Sequence, residues 1–389
     1  MNMFSPPVRL GLFYGAYFLA VGVMLPYWPV WLEGRGMSPE QIGAVLAVTF
    51  WVKLIGHPTV SAVADATGQV RTTLTVLAGM AVLVFLGFGL LQGFWVYIAL
   101  AALAALCFQT IMPIGEALSL AVVKSGGYDY GRIRLWGSIS FIIAASGMGP
   151  AIEHLGTEIV WVALVGCMVA ILVSCRLLPE ARTRTAKPWS WKAAGALAMS
   201  PRFLLFVATA GAIQAGHAVY YAFGTIIWRD MGFQETAIGL LWTLGVVAEI
   251  VLFWFAGRLG RYGSAPVLLA IAIVGTLIRW PLTAFADTPW LAAPLQVLHA
   301  LTFGAGHLGA MRFLQENAPE GLGATAQALY YALVSGVVMG TVMPIAGILF
   351  QHYGPTTAYV AAGGMGLLAA VTFVPLFLLK PRSREAQSI

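Results

Sequence analysis

Residues 240–255 read LLWTLGVVAEIVLFWF, an apolar run with a single carboxylate, Glu249, deep inside it. With its flanks, the run is long enough for a helix across the bilayer core, which takes about 20 residues. A charged side chain at that depth costs at least about 2.5–3.5 kcal/mol. Such residues usually face a counter-charge or a wet cavity and mark the path of an ion or solute. The stretch therefore indicates a transport protein.

The rest of the chain has the same character. Of its 389 residues, 60% are apolar and 9% are charged, against about 25% charged in soluble domains. The sequence predicts an all-α membrane protein with about twelve transmembrane helices. These lie near residues 8–32, 38–63, 71–91, 95–123, 131–153, 157–178, 202–228, 235–257, 264–284, 288–314, 323–350 and 356–379.

Four further charged residues, Lys53, Glu116, Arg134 and Arg279, lie inside these apolar runs. Together with Glu249 they make three cations and two carboxylates, which leaves one positive charge without a protein partner. If all five line one cavity, an anionic solute could complete the set. Embedded cations can also pair with backbone carbonyls, so this pattern favours an anionic substrate without requiring one.

An internal repeat divides the chain into two bundles of six helices. The longest polar interruption, residues 179–201, separates an N-terminal bundle (1–178) from a C-terminal bundle (202–389). Gly36, Ile42 and Gly43 reappear in register as Gly232, Ile238 and Gly239, each set at the first outer loop of its half. A parallel repeat of this kind is the layout of major facilitator transporters, which place the substrate between the halves.

Charge asymmetry predicts the orientation. Outside the apolar runs, lysine and arginine collect at the termini and in the 179–201 linker, and only Arg35 and Arg229 fall on the opposite side. Positive charge prefers the cytoplasm, so both termini and the linker are expected there, in a bacterial inner membrane. The basic composition then needs no nucleic-acid partner.

The loop after the second helix is a candidate gate. Asp65, Gly68 and Arg71 resemble part of the major facilitator loop signature, although Ser61 and Ala66 stand where that signature has glycine and arginine. We expect Asp65 to contact the cytoplasmic helix ends. An ordinary turn explains the same residues equally well.

Several stretches together resemble one branch of the superfamily, which contains lactose permease and the phenylpropionate permeases. These are residues 130–138 (YGRIRLWGS), 216–221 (GHAVYY), 244–249 (LGVVAE) and 299–303 (HALTF). The likeness to the phenylpropionate branch covers nearly the whole chain. It implies a proton symporter that takes up a small aromatic carboxylate by rocking two halves around a central site.

The lactose permease resemblance also implies residue roles. Glu116 and Arg134 match its sugar-binding carboxylate and arginine. Glu249, Arg279 and His299 match its helix 8 carboxylate, helix 9 arginine and helix 10 histidine.

Two departures limit this transfer of roles. Thr302 stands where lactose permease has a protonating glutamate, and Gln296 where it has a lysine. The proton-coupling roles of lactose permease therefore cannot be transferred to this chain unchanged, and the departures also weaken the case for a sugar substrate.

These considerations give two predicted groups of residues. Substrate contacts are expected from Glu116, Arg134, Lys53, His217, Tyr221 and Gln214. Proton coupling is expected from Glu249, Arg279, His299 and His307. Two alternatives stay open: Glu116 and Arg134 form a purely structural ion pair, or Glu249 forms a permanent salt bridge with Arg279. If Glu249 is instead unpaired, desolvation favours its neutral acid and makes it a candidate proton carrier.

The sequence thus predicts a monomeric proton symporter for a small organic acid such as phenylpropionate. Its expected partners are substrate, protons and the lipid bilayer, with no metal and no cofactor beyond the proton gradient. Sugar or nucleoside symport and drug or metabolite efflux are alternatives. A non-transporting sensor also stays open. A membrane enzyme is disfavoured, because neither zinc-ligand spacing nor a nucleophile motif is found in the sequence.

Overall fold

The computed structural model describes residues 5–180, 191–258, 263–319 and 322–378, apart from the side chains at positions 61, 63, 65 and 191. All regular secondary structure in these ranges is helical. Ten continuous helices are long and apolar enough to cross a membrane. One of them, Gly323–Leu378, contains two spans, because Gly354 adopts a left-handed φ of +78° in its middle. The predicted all-helical membrane fold is confirmed.

Twelve spans result when residues 289–317, a helix with π-helical turns, are included. They are α1 (Pro6–Gly34), α2 (Pro39–Thr67), α3 (Val70–Leu90), α4 (Phe94–Gly126), α5 (Tyr130–Leu155), α6 (Glu158–Leu177), α7 (Pro201–Asp230), α8 (Glu235–Phe255), α9 (Ala265–Thr283), α10 (289–317), α11 (323–353) and α12 (355–378).

Local sequence explains where several helices begin. Ser38 and Gln41 form a capping box at the start of α2, and Pro39 occupies its first turn. Ser200 caps α7 in the same way, followed by Pro201. Serine caps and early prolines satisfy or remove amide donors that a helix leaves unbonded. Within the predicted linker, a short helix, Trp191–Ala198, precedes α7.

The repeated glycines occupy equivalent places in the two halves. Gly36 and Gly232 have φ values of +81° and +82° in the loops after α1 and α7. Gly43 lies so close to α11 that a Cβ atom would be 2.7 Å from the Met343 carbonyl oxygen. Gly239 lies equally close to α5, where a Cβ atom would be 2.5 Å from the Ala145 carbonyl oxygen. The sequence repeat therefore builds two matching contacts between the halves, α2 with α11 and α8 with α5.

Each of these contacts is capped by a hydrogen bond across the halves. The Glu40 amide at the start of α2 donates to Gln351 Oε1 at 3.2 Å. The Thr236 amide at the start of α8 donates to Glu153 Oε1 at 2.8 Å. Both bonds satisfy first-turn amides that have no partner inside their own helix. They hold the two halves together on the side opposite the chain termini.

Replacement of Gly149 in α5 by valine is expected to separate α5 from α8 on the side opposite the chain termini. A Cβ atom at Gly149 would collide with the backbone carbonyl of Glu235, which cannot move without shifting α8. Gly147, two residues earlier, has open space around it and provides a matched control. A cysteine introduced by Thr243→Cys on α8 reports access to this contact through its labelling by a maleimide in detergent. We expect Gly149→Val to speed the labelling of this cysteine several-fold and Gly147→Val to leave its rate unchanged. Equal labelling rates in the Gly149→Val and Gly147→Val variants would contradict the close contact between α5 and α8.

Candidate functional site

The carboxylate of Glu116 in α4 is held by two tyrosines from neighbouring helices. Tyr14 of α1 donates its hydroxyl to Glu116 Oε2 at 2.6 Å. Tyr130 of α5 donates to the other oxygen, Oε1. Charge-assisted bonds of this kind are about twice as strong as neutral ones. Both oxygens of Glu116 are therefore engaged by the protein itself.

Arg134 of α5 packs against aromatic rings. Its guanidinium carbon lies 4.0 Å from the centre of the Phe18 ring and 5.5 Å from that of Tyr14. Gly137 makes room for it, because a Cβ atom there would be 2.7 Å from Arg134 Nη1. Within the described ranges, no carboxylate oxygen comes within 4.0 Å of Arg134. The structural ion pair with Glu116 is thus not formed, and the half-buried cation faces the interior without an anion.

Lys53 and His57 lie on α2, away from any anionic partner that the structure describes. Lys53 Nζ sits 4.5 Å above the centre of the Phe50 ring. The lysine is half-buried, and His57 Nε2 is buried without a hydrogen-bond partner in the described part of the chain. The substrate contact predicted for Lys53 stays a prediction.

Arg279 of α9 is the centre of a second, fully buried cluster. Its Nη1 donates to His299 Nδ1 at 3.1 Å and to Thr302 Oγ1 at 3.0 Å. Its Nη2 donates to Gln296 Oε1 at 3.1 Å. Gln296 and Thr302, the two departures from the lactose permease pattern, are thus both ligands of this arginine. Neutral oxygen and nitrogen acceptors replace the charged groups expected there.

These contacts determine the tautomer of His299. Arginine can only donate hydrogen bonds, so His299 Nδ1 must accept and the ring proton must lie on Nε2. That nitrogen is 3.6 Å from Glu249 Oε2. His299 therefore stands between Arg279 and Glu249, and the direct salt bridge considered for those two residues is not formed. Protonation of His299 on Nδ1 would place two donors face to face, so the contact with Arg279 favours the ring with its proton on Nε2 alone.

His217 of α7 is part of the same network. Its Nδ1 lies 3.1 Å from the Ile213 carbonyl oxygen and its Nε2 lies 3.2 Å from Thr302 Oγ1. A carbonyl only accepts, so Nδ1 carries the proton and Nε2 accepts from the threonine hydroxyl. The ring is fully buried with both nitrogens bonded, and the substrate contact predicted for His217 stays a prediction.

Three other predicted residues line the interior near this network. Tyr221 stacks on His217 with ring centres 5.4 Å apart. Gln214 and His307 both line a small cavity with about 20 Å³ of space for water, roughly one molecule. Phe303 lies between His299 and His307, with ring centres 5.2 Å and 6.0 Å away. The predicted substrate residue Gln214 and proton residue His307 therefore share one polar pocket.

The two clusters interact across the halves. Helix α5, which carries Arg134, packs against α8, which carries Glu249, and Ser146 Oγ of α5 lies 2.7 Å from Thr243 Oγ1 of α8. Glu249 is half-buried, with 20% of its side chain exposed. The unpaired cation and the candidate proton carrier thus lie on adjoining helices of the two halves.

The candidate gating loop is linked to the start of the 179–201 linker. Gly68 ends α2 in a left-handed conformation with φ of +63°, a role that suits glycine. Arg71 forms an exposed ion pair with Glu180 of that linker. The side chain of Asp65 lies outside the described residues. Its gating role stays a prediction.

Sequence reasoning missed Tyr14, Phe18 and Gly137. Tyr130 begins the 130–138 stretch that carries the family resemblance, but nothing in the sequence pairs it with Glu116. Tyr14 and Phe18 stand four residues apart on α1 and hence on one helix face, which is a signal too common to single them out. Within the described ranges, no three His, Cys, Asp or Glu residues cluster to bind a metal ion.

Thr302→Val is expected to destabilise the folded protein by about 1–3 kcal/mol, because it leaves His217 Nε2 and an Arg279 donor unsatisfied. Thr283→Val is the matched control, since that buried hydroxyl donates only to the Arg279 carbonyl of its own helix at 2.7 Å. Thermal unfolding in detergent measures both. A shift no larger than that of Thr283→Val would contradict the proposed bridging role of Thr302.

Comparison with known proteins places this architecture among transporters. The model of the "MFS_1 like family" matches residues 8–361. The chain is 30% identical to the "Probable 3-phenylpropionic acid transporter" of Escherichia coli, over 96% of this chain and 97% of that protein. It is 28% identical to the "Maltose permease" of Geobacillus stearothermophilus, with 96% and 95% covered.

Solved structures show the same fold. The nucleoside transporter NupG superposes with a TM-score of 0.86 at 16% identity, covering 97% of this chain and all of that one. A bacterial homologue of the human lysosomal transporter Spinster, in an inward-facing and unoccupied conformation, gives a TM-score of 0.71 at 10% identity, with 96% and 95% covered. These relatives are transporters rather than enzymes, as the sequence predicts.

Proposed function

Because the chain belongs to the MFS_1-like family of the major facilitator superfamily, we propose that this integral membrane transporter moves a small aromatic carboxylic acid together with a proton. The observation that carries the proposal is the half-buried guanidinium of Arg134, which has no carboxylate within 4.0 Å among the described residues. The name of the E. coli relative supports phenylpropionate as the first substrate to test.

Arg134 is suited to bind the carboxylate. A guanidinium presents paired N–H groups that match a carboxylate in a bidentate manner. Phe18 supports one face of the Arg134 guanidinium, at 4.0 Å, which leaves the N–H edge for a ligand. A substrate carboxylate would provide the anion that the protein does not.

Substrate and proton would be coupled through the interaction of Arg134 with Glu249. Without substrate, the unpaired positive charge of Arg134 on α5 would attract a negative charge on the adjoining α8, which carries Glu249. The negative charge of a bound carboxylate offsets the positive charge of Arg134, which favours protonation of Glu249. By linkage, a protonated Glu249 strengthens anion binding to the same degree. The loaded carrier then takes up one negative and one positive charge together.

Protonation of Glu249 would also change the contacts of the buried cluster around Arg279. The neutral acid weakens its contact with His299 Nε2, 3.6 Å away, and His299 holds Arg279. We propose that this change lets the bundles 1–178 and 202–389 rock around the site. The proposal includes cytoplasmic termini, a bacterial inner membrane, a monomer, and the proton gradient as the driving force without a cofactor.

Proteoliposomes test the function. With an acidic exterior, we expect accumulation of radiolabelled 3-phenylpropionate that a protonophore abolishes and that exceeds the uptake of liposomes without protein. The protein-free control matters because the neutral acid crosses lipid by itself. Accumulation of maltose or uridine in place of the acid would refute the acid proposal and favour the sugar or nucleoside alternative.

A further inference from the structure

We propose that Tyr14 and Tyr130 set the selectivity of this transporter for anions, because they occupy Glu116 and thereby keep Arg134 free to bind a carboxylate. This inference rests on the proposed function and assigns to these tyrosines a role in choosing the class of substrate.

The first step is the competition between Glu116 and a substrate. Glu116 and Arg134 have opposite charges and lie close enough to contact the same ring, that of Tyr14. In a medium of low dielectric constant, two such charges attract strongly. A carboxylate without other partners would therefore tend to pair with Arg134. That pair would block the position that an anionic substrate needs.

The second step is the way the protein prevents this pair. Tyr14 and Tyr130 reach Glu116 from two different helices, α1 and α5, and supply one hydroxyl to each of its oxygens. Their rings meet edge to face, with centres 6.5 Å apart and planes at 83°. Glu116 thus has two strong donors without any cation. These two hydrogen bonds stabilise the negative charge of Glu116 in its present position.

The third step is that Arg134 has its own packing site, to which Tyr14 also contributes. The ring of Tyr14 lies 5.5 Å from the Arg134 guanidinium, and Phe18 lies under it at 4.0 Å. Gly137 supplies the space that the guanidinium fills. Tyr14 therefore contacts both charged groups: its hydroxyl donates to the Glu116 carboxylate, and its ring lies against the Arg134 guanidinium.

The arrangement also bears on neutral substrates. A polyhydroxylated solute donates hydrogen bonds and is recognised by free carboxylate oxygens. Both oxygens of Glu116 already accept from tyrosines. The tyrosine pair thus occupies two of the roughly four acceptor positions that Glu116 could offer to a sugar, and it preserves a cation suited to an acid.

The test is binding of 3-phenylpropionate to the purified full-length protein in detergent, measured by isothermal titration calorimetry. In the double variant Tyr14→Phe/Tyr130→Phe, Glu116 loses both donors and is expected to pair with Arg134. We expect Kd to rise about tenfold or more, the effect of losing charge-assisted hydrogen bonds. Addition of Glu116→Gln to this double variant should restore most of the affinity, since a neutral amide does not compete for Arg134.

Two controls separate selectivity from general damage. Tyr97→Phe removes a buried hydroxyl in α4 that has no hydrogen-bond partner in the described part of the chain, and it should leave Kd unchanged. The rescue by Glu116→Gln also shows that the double variant is folded, because a misfolded protein would not regain affinity from a further substitution.

The outcomes distinguish this inference from the proposed function. If Arg134→Ala leaves 3-phenylpropionate binding unchanged, the proposed function fails and the inference fails with it. If Arg134→Ala weakens binding but the double variant binds normally, or if Glu116→Gln does not restore its affinity, only the selectivity role of the tyrosines is overturned.

Discussion

Glu249→Gln is expected to abolish accumulation of substrate against its gradient while exchange of labelled for unlabelled substrate across the membrane continues. The amide imitates a permanently protonated acid, so the carrier can still load and reorient but no longer releases a proton. His299 Nε2, at 3.6 Å, keeps an acceptor in the amide oxygen. Uptake driven by a pH gradient and counterflow without one, both in proteoliposomes, measure the two activities separately.

Glu158→Gln is the matched control for this substitution. Glu158 is a carboxylate at the start of α6, where it forms an ion pair with Arg35 at 2.7 Å and is 57% exposed. Exposed pairs contribute little to stability, so this variant should accumulate substrate normally. Continued uphill transport by Glu249→Gln would exclude Glu249 as the proton carrier.

Arg134→Ala is expected to weaken binding of an aromatic carboxylate by roughly 100-fold, about 3 kcal/mol for the loss of charged hydrogen bonds. Arg134→Lys keeps the charge but loses the planar fork and its stacking on Phe18, and should cost roughly tenfold. The Kd for 3-phenylpropionate in detergent measures both effects.

Arg132→Ala controls for the general loss of a cation on α5. Arg132 lies two residues earlier in the helix, is 89% exposed, and pairs locally with Asp129 at 3.4 Å. It should bind substrate like the unaltered protein. Equal losses in Arg132→Ala and Arg134→Ala would mean that overall charge, rather than the position of Arg134, governs affinity.

The cluster around Arg279 shows how the site differs from the lactose permease pattern. With Thr302 and Gln296 as its ligands, Arg279 contacts only neutral acceptors, and its link to a carboxylate runs through His299 to Glu249. A second titrating carboxylate is therefore replaced by fixed hydrogen bonds. Under the proposed function, the coupling role that the family pattern divides between two carboxylates would fall in this cluster to Glu249.

The amino-acid sequence by itself determined the membrane helices and the repeat. Hydrophobic runs of bilayer length can satisfy their backbone only as helices in lipid, so residues such as 240–255 had one available structure. Gly43 and Gly239 marked equivalent positions because only a residue without a side chain fits where helices from the two halves touch. Spacing along one chain was sufficient for these predictions.

Tertiary structure decided which charges pair. The sequence placed Glu116, Arg134, Glu249 and Arg279 inside the membrane and left two direct ion pairs open, but Tyr14 and His299 intervene in the structure. The helix period determines the face on which a side chain lies; its neighbours come from helices that are distant in the sequence. The unpartnered state of Arg134 follows from the packing of α1, α4 and α5 together, because Tyr14, Glu116 and Tyr130 meet only in the folded bundle.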